Sequence, residues 1–144
     1  MMEIRLMTID DYEAAFSLWT STPGVGMRSL DDSREGIARY LARNPTSCFV
    51  AAEAGEVVGT ILCGHDGRRG YIYHAMVANA HRRRGIGKLL IEAGLDALHA
   101  EGVTRAALVA FRDNEKGNAF WEAMGFSRRD DLNYWNLGLD ERNV

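Results

Sequence analysis

Apolar and polar positions along the chain divide it into strand-like and helix-like segments in a definite order. Glu3 to Met7 reads as a short strand. Thr8-x-x-Asp11 resembles a capping box and opens a helix to about Thr20, with Leu18 and Trp19 on its core side. Thr22-Pro23-Gly24-Val25-Gly26 is a breaker-rich loop. A second helix is expected from about Ser33 to Arg43, where Ile37, Tyr40 and Leu41 are apolar, and it stops at Asn44-Pro45. Cys48 to Glu53 and Val57 to Gly64 read as strands joined in a hairpin at Ala54-Gly55-Glu56. Asp66 to Gly70 turns into a further strand, Tyr71 to Val77. Leu89 to Glu101 reads as a helix stopped by Gly102, with Ile86, Leu90, Ala93 and Ala97 at core spacing. Thr104 to Phe111 is the next strand. It is linked to Tyr71–Val77 through a helix, so the two should run parallel. A helix over about Glu115 to Met124 ends at Gly125, and Leu132 to Leu139 reads as a last, antiparallel strand. The fold class is therefore α/β, a mixed and mostly antiparallel sheet with one parallel βαβ pair, flanked by about four helices.

Composition narrows the class. The 144 residues suit one domain, 1–144, with a single core. Apolar residues make 47% and charged residues 26%, as in soluble globular proteins. The net charge of −3 gives no global basic field for nucleic acid. No apolar run approaches a membrane span, and Met1-Met2-Glu3-Ile4-Arg5 lacks a signal-peptide pattern, so a cytoplasmic location is expected. Cys48 and Cys63 read as small buried hydrophobes in a reducing compartment, with no metal site.

The chemistry concentrates in Arg82-Arg83-Arg84-Gly85-Ile86-Gly87-Lys88, which has a strand before it and a helix after it. Glycines let the backbone approach an anion, and the first amides of a helix have no intrahelical partner. The helix dipole adds positive potential there, and the arginines and Lys88 add whole charges. The ligand expected is a phosphorylated cofactor. A nucleotide-hydrolysing P-loop does not fit, because Leu89 follows Lys88 and no glycine stands five residues before Gly87. A dinucleotide fingerprint would want a third glycine at Leu90.

Arg82-x-x-Gly85-x-Gly87 in this setting resembles the acetyl-CoA pyrophosphate loop of the GNAT superfamily of N-acetyltransferases. Asn114-Glu115-Lys116-Gly117-Asn118-Ala119-Phe120-Trp121-Glu122-Ala123-Met124-Gly125-Phe126 resembles that family's next motif, and the element order is similar over nearly the whole chain. The resemblance implies acetyl-CoA as cosubstrate, no metal, and an acetyl group passed directly from the thioester to an amine. It implies that strands four and five splay around the pantetheine arm, and that backbone groups of Met76 and Val77 bond its amides. Amides from Arg83 through Gly85, Ile86 and Gly87 to Lys88 would hold the pyrophosphate, with charge from Arg82 and Arg84. Asn114 and Trp121 complete the implied cofactor contacts.

The chain departs from its better-understood relatives where proton transfer is concerned. Tyr71 and Val109 stand where some carry a glutamate, and Trp121 stands where many carry a tyrosine that protonates the thiolate. Indole is not a usable acid, so Trp121 reads as a packing or pantetheine-shaping residue. The catalytic candidates are Tyr134 and Tyr73, with Tyr71 on the same strand face as Tyr73. His74 is the residue type best suited to a base near neutrality. Regular alternation puts it on the face opposite Tyr73, however, where a lone strand histidine reads as structural packing. His65 is a weaker candidate at a strand end. The acceptor, an amine-bearing small molecule or protein, should meet the Thr20–Asp32 loop and the Tyr134 region. Asp31 and Asp32 are read as caps of the second helix. The alternative function is a non-catalytic acyl-CoA-binding sensor. Neither nucleic acid nor membrane is expected as a partner, and a homodimer is left open.

Overall fold

The computed structural model describes residues 1–144. A five-stranded sheet in the order β1-β2-β3-β4-β5 is formed by β1 (Met2–Leu6), β2 (Cys48–Glu53), β3 (Glu56–His65), β4 (Gly70–Val77) and β5 (Ala106–Ala107). The first four strands are antiparallel to their neighbours, and β4 and β5 are parallel. Helices α1 (Tyr12–Thr20), α2 (Arg34–Arg43), α3 (Ile86–Ala100) and α4 (Glu115–Ala123) complete the fold. The sequence dictates most of these boundaries locally. The Thr8–Asp11 capping box forms as expected and leads through a short 3-10 turn into α1. Ala54 and Gly55 take φ of 52° and 81°, the pair of left-handed residues that closes a two-residue hairpin between β2 and β3.

The two sheet faces bury separate apolar clusters. On one face Met7, Ala15, Trp19, Ile37, Cys48, Val50 and Leu62 join α1 and α2 to the sheet. On the other, Ile61, Cys63 and Ile72 meet Ile86, Leu90, Ile91 and Leu98 of α3. The α3 core stripe thus runs through Ile91, Gly94 and Leu98, while Ala93 and Ala97 stay half-buried at its edge. Gly94 explains the close approach, since a Cβ there would lie 2.6 Å from the sulfur of Cys63. Cys48 and Cys63 sit in different clusters, free and buried, and burial pushes both thiols up to about 12.

Four expectations are corrected. Helix α3 begins at Ile86 rather than Leu89, which brings Gly87 and Lys88 into its first turn. Ser33, not the aspartates, caps α2 through a 3.0 Å bond from the Gly36 amide. The strand expected over Thr104–Phe111 pairs only at Ala106–Ala107, because β5 leaves β4 beyond that point. No strand forms over Leu132–Leu139. With β5 out of the ladder, no neighbouring backbone pairs with this segment, and Tyr134, Trp135, Leu137 and Leu139 are exposed.

Candidate active site

Strands β4 and β5 pair at Gly70–Ala106 and Tyr71–Ala107 and then part. Between Tyr73–Val77 on one side and Leu108–Phe111 on the other lies a cleft of about 1360 Å³. Its remaining walls come from the α3 entrance, from α4, and from the Ser21–Gly26 loop. That loop reaches across to α4. Gly24 adopts φ of 88°, and a Cβ on it would stand 3.1 Å from Asn114 Nδ2. Asn114 itself caps α4 by accepting from the Gly117 amide at 3.0 Å.

The mouth of the cleft carries the basic turn. Arg83 and Gly85 have φ of 64° and 79°, both in the left-handed region. The first intrahelical bond of α3 runs from Leu89 N to Gly85 O at 3.2 Å, so the amides of Ile86, Gly87 and Lys88 have no partner in the helix. No acidic side chain lies in that first turn. The three arginines do different things. Arg82 donates through Nε to the Val77 carbonyl at 3.3 Å, tying the turn to the end of β4. Arg83 lines the cleft, as does Lys88. Arg84 points to Glu53 at the end of β2, 2.7 Å away, and holds that carboxyl below its usual range. His81 Nδ1 is buried in the cleft wall without a partner. Gly87 faces Phe120 of α4, and Trp121 lines the cleft while packing edge-on against Phe120 and Phe126.

Tyr71 and Tyr73 lie side by side, ring centroids 4.7 Å apart, in the wall of the cleft. Burial pushes the Tyr71 hydroxyl up to about 12, with the nearby Tyr134 and Tyr73 hydroxyls adding to it. Tyr134 is 68% exposed beside Tyr71 and does not line the cleft. His65 pairs instead with Glu101 at 3.4 Å. Among the described residues there is no cluster of His, Cys, Asp or Glu suited to a metal.

His74 is not where alternation predicts. The β3–β4 register slips between Thr60 and Leu62, leaving His74 and Ala75 together opposite Ile61, and His74 takes φ of 46°. This bulge returns His74 to the face shared by Tyr73, α1 and α2. Its ring lies on Trp19, centroids 4.5 Å apart, and Nε2 is 2.6 Å from Asp32 Oδ1. Nothing in the period-two pattern signals this pair.

The acetyltransferase (GNAT) family model matches residues 11–126 of this chain. The chain belongs to the GNAT family of acetyltransferases. An acetyltransferase of Sodalis glossinidius is 34% identical over 131 residues, covering 91% of each chain. Among solved structures, Ard1 from Thermoplasma volcanium superposes with a TM-score of 0.77 at 23% identity, covering 88% of this chain and 82% of its own. The aminoglycoside N-acetyltransferase AAC(6')-Iy, solved with the bisubstrate analogue CoA-S-monomethyl-acetylneamine, gives 0.72 at 19% identity, covering 96% and 99%. At these identities the two structures show that this GNAT chain shares the fold. No helix of this chain is long and apolar enough to cross a membrane.

Proposed function

We propose that this acetyltransferase binds acetyl-CoA in the β4–β5 cleft and passes the acetyl group to a primary amine. The observation that carries the reading is the turn at the cleft mouth: unpartnered helix amides, a left-handed pair at Arg83 and Gly85, and no acidic side chain in the first turn of α3. Such a turn suits a diphosphate, with the helix dipole, Arg83 and Lys88 supplying positive potential. Arg82 shapes the turn, and the Glu53 pairing leaves Arg84 a smaller share of the charge than its place in the motif implies. Beyond Tyr71 the β5 side of β4 has no strand partner, so Met76 and Val77 can bond an extended pantetheine arm as an added strand would. Asn114 and Trp121 bound the same space from α4. The two free, buried cysteines fit a reducing cytosol.

The acceptor must arrive neutral or lose a proton in the cleft, because an ammonium has no lone pair. A lysine-type amine with a pKa of about 10.4 is mostly charged at pH 7, while an α-amine of about 8 needs less help. The thiolate that leaves has a parent pKa of about 8.5 and can take its proton from water. Tyr73, in the cleft wall, is the phenol best placed to assist, and Tyr134 lies beside Tyr71 outside that wall.

Thermal unfolding with added CoA and thiol release against a panel of amines, peptides and aminoglycosides test the proposal. We expect CoA to raise the melting temperature by mass action on the folded state, and oligonucleotides to leave it unchanged. A melting temperature unmoved by millimolar CoA would overturn the cofactor assignment. Tight binding with no thiol release across the panel would replace the enzyme reading with that of an acyl-CoA sensor.

A further inference from the structure

His74 of the cleft wall is paired with a carboxylate, that of Asp32. Asp32 comes from the loop between α1 and α2, and its side chain and that of His74 are each only 9% exposed. The carboxylate is fixed from both ends. Oδ2 accepts from the Arg28 amide at 2.7 Å, and the Asp32 carbonyl accepts from the Tyr12 hydroxyl at 2.7 Å. Oδ1 accepts from His74 Nε2 at 2.6 Å. The histidine backbone is held as firmly, since Thr60 Oγ1 donates to its carbonyl at 2.6 Å and itself accepts from Trp19 Nε1 at 2.9 Å. This network holds a non-glycine residue at a left-handed φ of 46° within a strand. Such strain persists only where the surroundings over-determine it, and it clusters at functional sites.

The consequence lies at the other ring nitrogen. With Nε2 committed to the carboxylate as N–H, Nδ1 carries the lone pair. Nδ1 has no partner in the protein and is not sealed from solvent, and His74 lines the cleft on β4 between Tyr73 and the Met76–Val77 backbone. Trp19 from α1 and Thr60 from β3 bring no charge to the ring, and burial pushes the neighbouring Tyr73 hydroxyl up, so that it is neutral at pH 7. Asp32 is the charged group bonded to it.

We propose that His74 is the general base of this acetyltransferase and that Asp32 is its positioning residue. The assignment rests on reading the cleft as the site of acetyl transfer. The acceptor nitrogen bonds to the thioester carbonyl carbon, and the carbon–sulfur bond breaks. The sulfur leaves with the electron pair and takes a proton from water. His74 Nδ1 takes the proton the amine nitrogen must lose and later returns it to solvent. Asp32 stabilises the imidazolium that forms in between, at no cost in reorganisation.

The test begins with the unaltered protein. Its amine-dependent thiol release must be present; if it is absent, the acetyl-transfer reading fails and this role fails with it. Given that activity, His74→Gln should keep the CoA-induced rise in melting temperature while kcat falls about a hundredfold or more, the range of acid–base groups. The acid limb of the kcat/KM profile should then follow the acceptor amine alone. A rate within a few-fold of the unaltered enzyme, with the same profile, would overturn the role of His74 and leave the acetyl-transfer reading standing. A readout without turnover decides the matter if the variant does not fold. Nitrogen-15 NMR of the unaltered protein with CoA should show neutral His74 protonated at Nε2 and bare at Nδ1. Asp32→Asn should abolish that preference. A neutral His74 protonated at Nδ1 would overturn the proposal.

Discussion

Gly87 in the first turn of α3 faces the ring of Phe120 on α4 so closely that a Cβ there would stand 3.2 Å from Cζ. The glycine therefore allows the close spacing of the two helices. Alanine at 87 gains at most about 1 kcal/mol of helix propensity and loses about 1–3 kcal/mol to overpacking. Gly87→Ala should thus be slightly destabilised and keep most of its CoA affinity. Gly87→Glu adds both a wedge and a negative charge at the helix entrance. It should lower the melting temperature and abolish CoA stabilisation together. Melting curves of both variants with and without CoA check this, and full CoA affinity in a folded Gly87→Glu protein would contradict the phosphate-turn reading.

The basic residues of the turn should not be equivalent. Lys88 and Arg83 line the cleft, whereas Arg84 is engaged by Glu53. Loss of one charge-assisted contact to phosphate should weaken CoA about tenfold, near 1.4 kcal/mol. We expect that loss for Lys88→Gln and Arg83→Gln, and a change within a few-fold for Arg84→Gln. Calorimetric titration with CoA measures all three. Equal losses at 83, 84 and 88 would show that Arg84 swings from Glu53 to the ligand.

Elements whose boundaries are written in local chemistry were legible in the sequence. The Thr8–Asp11 box, the Ala54-Gly55 hairpin and the Gly102 and Gly125 stops formed where turn and capping residues put them. The basic turn between β4 and α3 was legible for the same reason, since its glycines and charges are contiguous. What stayed hidden depends on contacts between distant segments. The bulge at His74 arises from a register slip against β3 that no residue type in Tyr71–Val77 announces, so alternation puts the ring on the wrong face. Asp32 reads as a helix cap because aspartate and serine are comparable caps, and the structure gives the role to the adjacent Ser33. The apolar alternation after Leu132 was real, but a strand also needs an edge, and β5 offers none there.

Acid should loosen the start of the fold at Asp11. Burial alone would raise its pKa, but two 2.9 Å bonds from Arg5 and one from the Thr8 amide outweigh that and hold it below the usual carboxylate range. A carboxylate with a depressed folded pKa adds stability that is complete above its unfolded value, about 3.9. That stability is lost as pH falls through the lower folded value. Asp11→Asn should therefore cost about 1–2 kcal/mol at pH 7. The gap from the unaltered protein should narrow below pH 4 and close once both carry a neutral side chain. Denaturant unfolding across that range measures it, and a pH-independent gap would assign the loss to packing.

Trp121 and Tyr134 decide whether the departing sulfur needs a protein acid. Trp121 packs against Phe120 and Phe126 and lines the cleft, and neither indole nor a phenyl ring can give a proton. Trp121→Phe should keep kcat within a few-fold, with any loss appearing as weaker CoA binding. Tyr134→Phe removes a single hydroxyl with little change in volume. That hydroxyl sits on an exposed residue beside Tyr71, outside the cleft wall, and a thiolate of parent pKa about 8.5 is a stable leaving group in water. We therefore expect Tyr134→Phe to lose little, and Tyr73→Phe to report any phenol that acts from within the cleft. A fall of about a hundredfold in kcat at Tyr134→Phe, with CoA affinity intact, would instead make Tyr134 the acid. That result would require the segment after Leu132 to close over the acceptor during turnover.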